Sequence, residues 1–163
     1  MEKIDAHSVK QRKIPLLFAP ERFDDLEDYL PWCEVYELDQ EAELELQSEV
    51  RLVLGGRGLG VALPAQKSYF YVSSIDIQAR IKAGRRGELA RACLMNKDSM
   101  RVLDAFAGFG VDGLTLAGLG ADVTLVERNL VVWLMLRSIA CGHPRVAIHY
   151  ADSFSLLHSG DAW

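Results

Sequence analysis

The sequence predicts an α/β fold, in which a partial, parallel Rossmann-like sheet follows a small, mainly β N-terminal lobe. Three observations carry this. Val102–Arg128 runs strand, glycine-bearing turn, helix, second strand and then an acid. Apolar strands go on alternating with helical segments as far as Leu157. Short apolar runs broken by proline and glycine fill Ile14–Ser74. The expected organisation is an N-terminal lobe over residues 1–74, a basic linker and helix over 75–100, and an incomplete nucleotide-binding half-domain over 101–163. A chain of 163 residues, 50% of them hydrophobic, can bury a core of that size.

The elements follow in order. Met1–Lys13 is polar and expected to fray. Ile14–Phe18 reads as a strand stopped by Pro20. Glu21–Leu30 places Phe23, Leu26, Tyr29 and Leu30 at helical spacing, and Pro31 ends it. Glu34–Leu38 reads as an edge strand. Leu44–Leu54 contains two strand-like pieces, Gly55–Gly60 a turn, and Val61–Leu63 and Tyr69–Val72 two more strands. Glu88–Met95 is a helical segment whose leading acid suits the helix dipole. Strands are then predicted at Val102–Asp104, Asp122–Val126 and Val146–Tyr150, with helices near Asp112–Gly118, Asn129–Ala140 and from Ser153. A fourth parallel strand is expected directly after the last residue.

Charge is unevenly placed. Glu21–Glu49 carries twelve acids against the single base Arg22, the pattern of a solvated face. Arg51–Arg101 carries ten bases against three acids, which suits either a polyanion or an ordinary surface. Cys33, Cys93 and Cys141 are widely spaced and read as reduced thiols. The four histidines show no metal-ligand spacing, so no metal is expected. No apolar run reaches the length of a bilayer span or of a signal peptide, and a soluble, cytoplasmic protein is expected.

Gly108, Gly110 and Gly113 satisfy GxGxxG, and Glu127 lies seventeen residues beyond Gly110. A glycine turn before a helix brings backbone close to a ligand, and an acid after the second strand can take both hydroxyls of a ribose. The cofactor depends on Asp104. A dinucleotide site keeps its first strand apolar up to the first glycine, whereas here an acid stands four residues earlier. That acid would repel a pyrophosphate and attract the ammonium and sulfonium of S-adenosylmethionine (SAM). The residues therefore favour SAM over NAD, with a tight turn that binds nothing as the plain alternative.

At this point the sequence resembles a family. DAFAGFGVDGLTLAGLG-ADVTLVERN resembles the core of the bacterial ribosomal RNA small subunit methyltransferase J family, whose turn reads D-A-T-A-G-L-G-R-D and whose second strand ends M-L-E-R-N-P. GRRGEL and IHYADSFSLL resemble its GGGRGE and I-H-A-S-S-x-x-x-L segments. The resemblance implies a class I SAM-dependent fold and methylation of a guanine N2 amino group in 16S rRNA. It implies cofactor contacts at Val111 and Asp112, Glu127 and Arg128, and Asp152 and Ser153, beside Gly108 and Gly110. Asp112 could face the methionine ammonium or cap its helix. Arg128 could flank the adenine or the substrate, or simply be solvated. Asp152 could accept from the adenine amino group. Arg80, Lys82, Arg85 and Arg86 are candidate contacts to the phosphates of 16S rRNA or the small ribosomal subunit.

Departures from the family matter too. Val111 replaces its turn arginine, Leu130 its proline and Asp152 the first serine of its pair. The family's D-P-M-F-P segment has no counterpart: none of Pro15, Pro20, Pro31, Pro64 and Pro144 follows Asp or Asn, and Asp161 is a poor substitute. No catalytic residue is assigned. The expectation is the N-terminal part of an rRNA methyltransferase, inactive by itself. The alternatives are a non-catalytic SAM- or RNA-binding relative and, less favoured, half of an NAD-binding oxidoreductase.

Overall fold

The computed structural model describes residues 13–72, 74–95 and 100–159. Of the start expected to fray (Met1–Lys13), residues 1–12 lie outside them, as does Asp161. Five strands form the first sheet: β1 (Ile14–Phe18), β2 (Cys33–Glu37), β3 (Arg51–Gly55), β4 (Gly58–Ala62) and β5 (Phe70–Tyr71). Their order is β2-β1-β3-β4-β5, with β1 parallel to both neighbours and the β3–β4–β5 pairs antiparallel. The predicted edge strand is β2, at the edge. Side chains alternate across the sheet. Leu16, Leu52 and Leu54 enter one core, while Leu17 and Val53 join Leu46 on the opposite face.

Two expectations for this lobe need correction. Leu44–Leu54 is not two strands. Helix α1 (Gln40–Glu45) and a short 3-10 turn (Leu46–Ser48) occupy its first part, and only β3 follows. Asp39 starts α1 by accepting a hydrogen bond from the Ala42 N–H at 2.8 Å, and Glu41 and Glu43 suit its first turn. The glycine turn is also shorter than expected, because Gly58–Gly60 already belongs to β4. Pro20–Asp28 is helical, as its spacing suggested, but wound as a 3-10 helix. The three-residue pitch stacks Leu26 over Tyr29, and both are buried.

The second sheet contains β6 (Arg101–Asp104), β7 (Asp122–Glu127) and β8 (Val146–Tyr150), all parallel, in the order β6-β7-β8. Helix α4 (Val111–Gly118) joins β6 to β7, α5 (Leu130–Ala140) joins β7 to β8, and α6 (Ser153–Ser159) follows β8. These match the predicted units closely. Preceding them, α2 (Ser74–Ala83) occupies what the sequence suggested was linker, and α3 (Glu88–Ala92) falls within the helical segment expected at Glu88–Met95. Ile77 and Ile81, one turn apart, pack α2 towards α4. A Cβ at Gly118 would stand 2.3 Å from Ile81, so this glycine is what lets the two helices meet.

Helix α5 is apolar around most of its circumference, as a helix buried on several sides must be. Trp133, Leu134 and Met135 enter the core of the first lobe, and Leu136 and Ala140 enter that of the second. Trp133 meets Trp32 at 5.5 Å and Tyr150 at 5.4 Å between ring centroids. Arg137 then ties α5 to Asp28 through an ion pair of 2.6 Å.

Candidate functional site

The site begins at the C-terminal end of β6. The half-buried Asp104 carboxylate accepts hydrogen bonds from the backbone N–H groups of Phe106 and Gly113, so it ties the strand to the start of α4. Gly110 precedes that helix with φ +75°, a left-handed conformation that other residues adopt only with strain. Gly113 answers a different need. A Cβ there would stand 2.3 Å from Leu125 and 3.2 Å from the Asp104 carboxylate. The third glycine of the motif thus holds α4 against β7.

Glu127, at the end of β7, accepts from the Gly108 N–H at 3.1 Å and, with its other oxygen, from the Asn129 N–H at 2.7 Å. Asn129 in turn caps α5 through the N–H groups of Val131 and Val132. A carboxylate offers about four acceptor positions. Two hold Glu127 in place, and the remainder are free for hydroxyl donors.

Asp152, after β8, accepts from the Phe154 and Ser155 N–H groups at 2.9 and 3.3 Å and so caps α6. Arg128 lies 3.4 Å from its other oxygen. The Ser155 N–H above all, with Phe154 and Arg128, holds the Asp152 carboxyl below its ordinary range, against the opposing effect of desolvation. Ser153 is buried in the first turn of α6.

Burial raises the Asp104 carboxyl above its ordinary range, and the negative charges of Asp112 and Glu127 add to this, against the two backbone donors. Three carboxylates around one turn form a field that suits a cation and opposes a pyrophosphate. A cleft of about 400 Å³ lies against this turn, lined by Asp104, Phe106, Phe109, Asp112, Leu89 and Cys93 among others. Glu127 and Asp152 are not part of its lining. They stand across the turn, where Glu127 still acts electrostatically on Asp104.

The structure thus joins Gly108 to Glu127 and Arg128 to Asp152. Val111 opens α4 and packs against the second core. Asp112 neither caps α4 nor stands alone: it pairs with Arg80 of α2, both side chains more than half exposed. Lys82, Arg85 and Arg86 are exposed on and just after α2, outside the lining of the cleft. Sequence reasoning overlooked Phe106 and Phe154. They are 69% and 57% exposed, meet edge to face at 5.7 Å and join the glycine turn to the first turn of α6. The signal was available in Phe106, a large apolar residue in a turn of small ones. Phe109 points to the other lobe and meets Phe70 at 5.2 Å.

The family model described as "Putative SAM-dependent methyltransferase" matches residues 36–147, more than half of the chain. The chain belongs to that family of SAM-dependent methyltransferases. It is 43% identical over 79 residues to the ribosomal RNA small subunit methyltransferase J of Alkalilimnicola ehrlichii, covering 44% of this chain and 30% of that one. It is 44% identical over 94 residues to the protein of the same name from Thioalkalivibrio sulfidiphilus, covering 52% and 36%. The chain therefore spans about a third of the length of these curated relatives. In fold it is similar to a SAM-dependent methyltransferase from Neisseria gonorrhoeae, with a TM-score of 0.64 at 20% identity over 90% of this chain and 65% of that one. Among the described residues, no helix is long and apolar enough to cross a membrane, and no group of three or more His, Cys, Asp or Glu is placed to hold a metal.

Proposed function

We propose that this chain forms the SAM-holding part of a methyltransferase that acts on the N2 amino group of a guanosine in 16S rRNA, in the cytoplasm. The observation that carries the cofactor part is the Glu127 carboxylate, pinned by two backbone N–H groups beside a turn that holds two further acids. The ribose hydroxyls fit the free acceptor positions of Glu127. Asp104, backed by Asp112, favours the ammonium end of the ligand. Asp152 and Ser153, at the end of β8, would accept from the exocyclic amine of the adenine, and the exposed Phe154 would offer its ring to a planar base. When bound, SAM supplies a methyl group on a cationic sulfur, and the chain's part is to orient it and favour its charge. Support for the RNA comes from the names of the matched relatives and from the exposed Arg80, Lys82, Arg85 and Arg86. A second reading is binding of SAM or RNA without methyl transfer.

Calorimetric titration with SAM and with NAD tests the cofactor. SAM should bind and NAD should not. Glu127→Gln should weaken SAM at least about tenfold, the loss expected for charge-assisted hydrogen bonds. Asp122→Asn should leave binding unchanged, because that carboxylate pairs with Arg145 at the opposite end of β7. Tighter binding of NAD than of SAM would overturn the reading. Transfer of a labelled methyl group to small-subunit RNA by this chain would overturn the second reading, and with it the expectation that the chain is inactive by itself.

A further inference from the structure

The outer face of the first sheet holds a charged group that the cofactor site does not use. Arg51 opens β3 on the same face as Val53, away from α5. Its side chain belongs to a residue only 3% exposed. One guanidinium nitrogen, Nη2, donates to the Gln66 carbonyl at 2.6 Å, and the guanidinium lies 5.4 Å from the Tyr69 ring centroid. Nε and Nη1 are buried and have no hydrogen-bond partner among the described residues. Two of the three guanidinium nitrogens are thus out of water without an acceptor, which is costly for a buried cation, so an unmet demand for an acceptor stands here.

Arg51 also lines a cleft of about 330 Å³. Gln40, Glu43, Leu44 and Gln47 line it from α1 and the turn after it, at the i, i+3, i+4, i+7 spacing of one helix face. Lys67 completes the lining. The charges are two cations against the carboxylate of Glu43, and that carboxylate already accepts from the Tyr69 hydroxyl at 3.3 Å. Two glutamine amides supply neutral donors. The cleft is thus a cationic pocket with amide donors around a buried arginine.

We propose that this pocket, formed by Arg51, Lys67, Gln40 and Gln47, binds a phosphate-bearing anion separate from the SAM turn. Arg51 supplies the fixed guanidinium, and Lys67, exposed at the rim, draws the anion in and closes over it.

The test uses the 163-residue chain and inorganic phosphate, followed by phosphorus NMR line broadening and thermal unfolding, with chloride matched for ionic strength. Phosphate should bind saturably and raise Tm where chloride does not. Lys67→Glu, at an exposed position, should fold normally and weaken phosphate about tenfold. Arg51→Met should abolish the phosphate-dependent rise in Tm. If that variant does not fold, Lys67→Glu and Gln47→Ala decide by affinity alone. A short single-stranded RNA in a second arm separates backbone phosphate from the free ion: RNA that displaces bound phosphate and is weakened by Lys67→Glu assigns the pocket to backbone phosphate, and RNA that leaves bound phosphate in place assigns it to the free ion. An equal response to chloride and phosphate, or phosphate affinity unchanged in Lys67→Glu, would overturn the proposal.

Discussion

The two sheets of this chain are built to opposite ends. The first is covered on both faces, by α5 and the Pro20–Asp28 helix on one side and by the α1 region on the other, and Leu16, Leu17 and Leu52 are wholly buried. The second is covered throughout on one face and only in part on the other, where Val126 is buried. Val123 and Leu125 enter a core with α2 and α4, while Leu103 stays partly exposed, Ala147 is exposed, and a cleft of about 470 Å³ runs along the strands there. Among the described residues β6 has a hydrogen-bonded neighbour on one edge only. Stability is therefore concentrated in the lobe without the glycine turn. The sheet with that turn relies on α5, which shares its apolar surface between the two.

The largest effect should come from cutting into the covered sheet. Leu52→Ala removes a fully buried side chain and should cost about 2–5 kcal/mol. Ala147→Ser, on the exposed face of the other sheet, should change stability by no more than about 0.5 kcal/mol. Urea unfolding followed by circular dichroism checks both. If the two halves unfold together, as a shared α5 requires, Leu52→Ala should lower the midpoint for both cores, read by amide exchange on β3 and on β7. Independent transitions would show that α5 does not couple them.

A smaller effect separates packing from binding within the turn. Gly113→Ala places a methyl group against Leu125 and the Asp104 carboxylate. Overpacking of this kind costs about 1–3 kcal/mol. Because the displaced carboxylate belongs to the proposed ligand site, SAM affinity should fall further than stability alone accounts for. Gly142→Ala makes a useful control: it replaces a glycine at positive φ (+78°), where a Cβ meets nothing within 4 Å. It should cost stability without changing affinity. Calorimetry on both variants checks the contrast.

The same contrast explains what was legible in the sequence. Each strand–turn–helix unit of the second sheet is local, and its signals, Asp104, the glycines and Glu127, lie within one continuous stretch. The first lobe joins distant segments, so its pairings could not be read along the chain. Helix α1 has few apolar residues to mark its period: Leu44 is 72% exposed, and Ala42 and Leu46 alone face the core. Its cap, Asp39 followed by acids, was the available signal. Helix α2 looked like linker for a similar reason, since its buried stripe depends on Gly118 in another helix. At the site, Glu127 could be anticipated from its position, but the Arg80–Asp112 pair and the Phe106–Phe154 contact join elements far apart in sequence. Arg51 was hidden more deeply, because a charged residue at a strand end reads as surface.

The smallest effect, and the finest probe of the turn, is the order in which two carboxyls titrate. Asp104 and Asp152 both start from an ordinary value of 3.8 and move in opposite directions. The folded Asp152 lies below the unfolded value. Its contribution to stability is present above about pH 3.8 and is lost as pH falls through the lower folded value. The folded Asp104 lies above the unfolded value, so its contribution is complete below about pH 3.8. That contribution then declines as pH rises, because the unfolded chain ionises first, and levels off once the folded group has ionised. On raising the pH, carbon NMR of the side-chain carboxyls should show Asp152 titrating before Asp104. Asp104→Asn should remove the decline in stability on the alkaline side of pH 3.8, and Asp152→Asn the loss on the acid side. Saturating SAM should lower the Asp104 midpoint, because a cation favours the carboxylate, and should leave the sign of the Asp152 shift unchanged. The reverse order of titration would mean that the backbone donors from Phe106 and Gly113 outweigh burial and the neighbouring acids. The turn would then hold its carboxylate ready for reasons of structure alone, without the unfavourable field that a bound cation relieves.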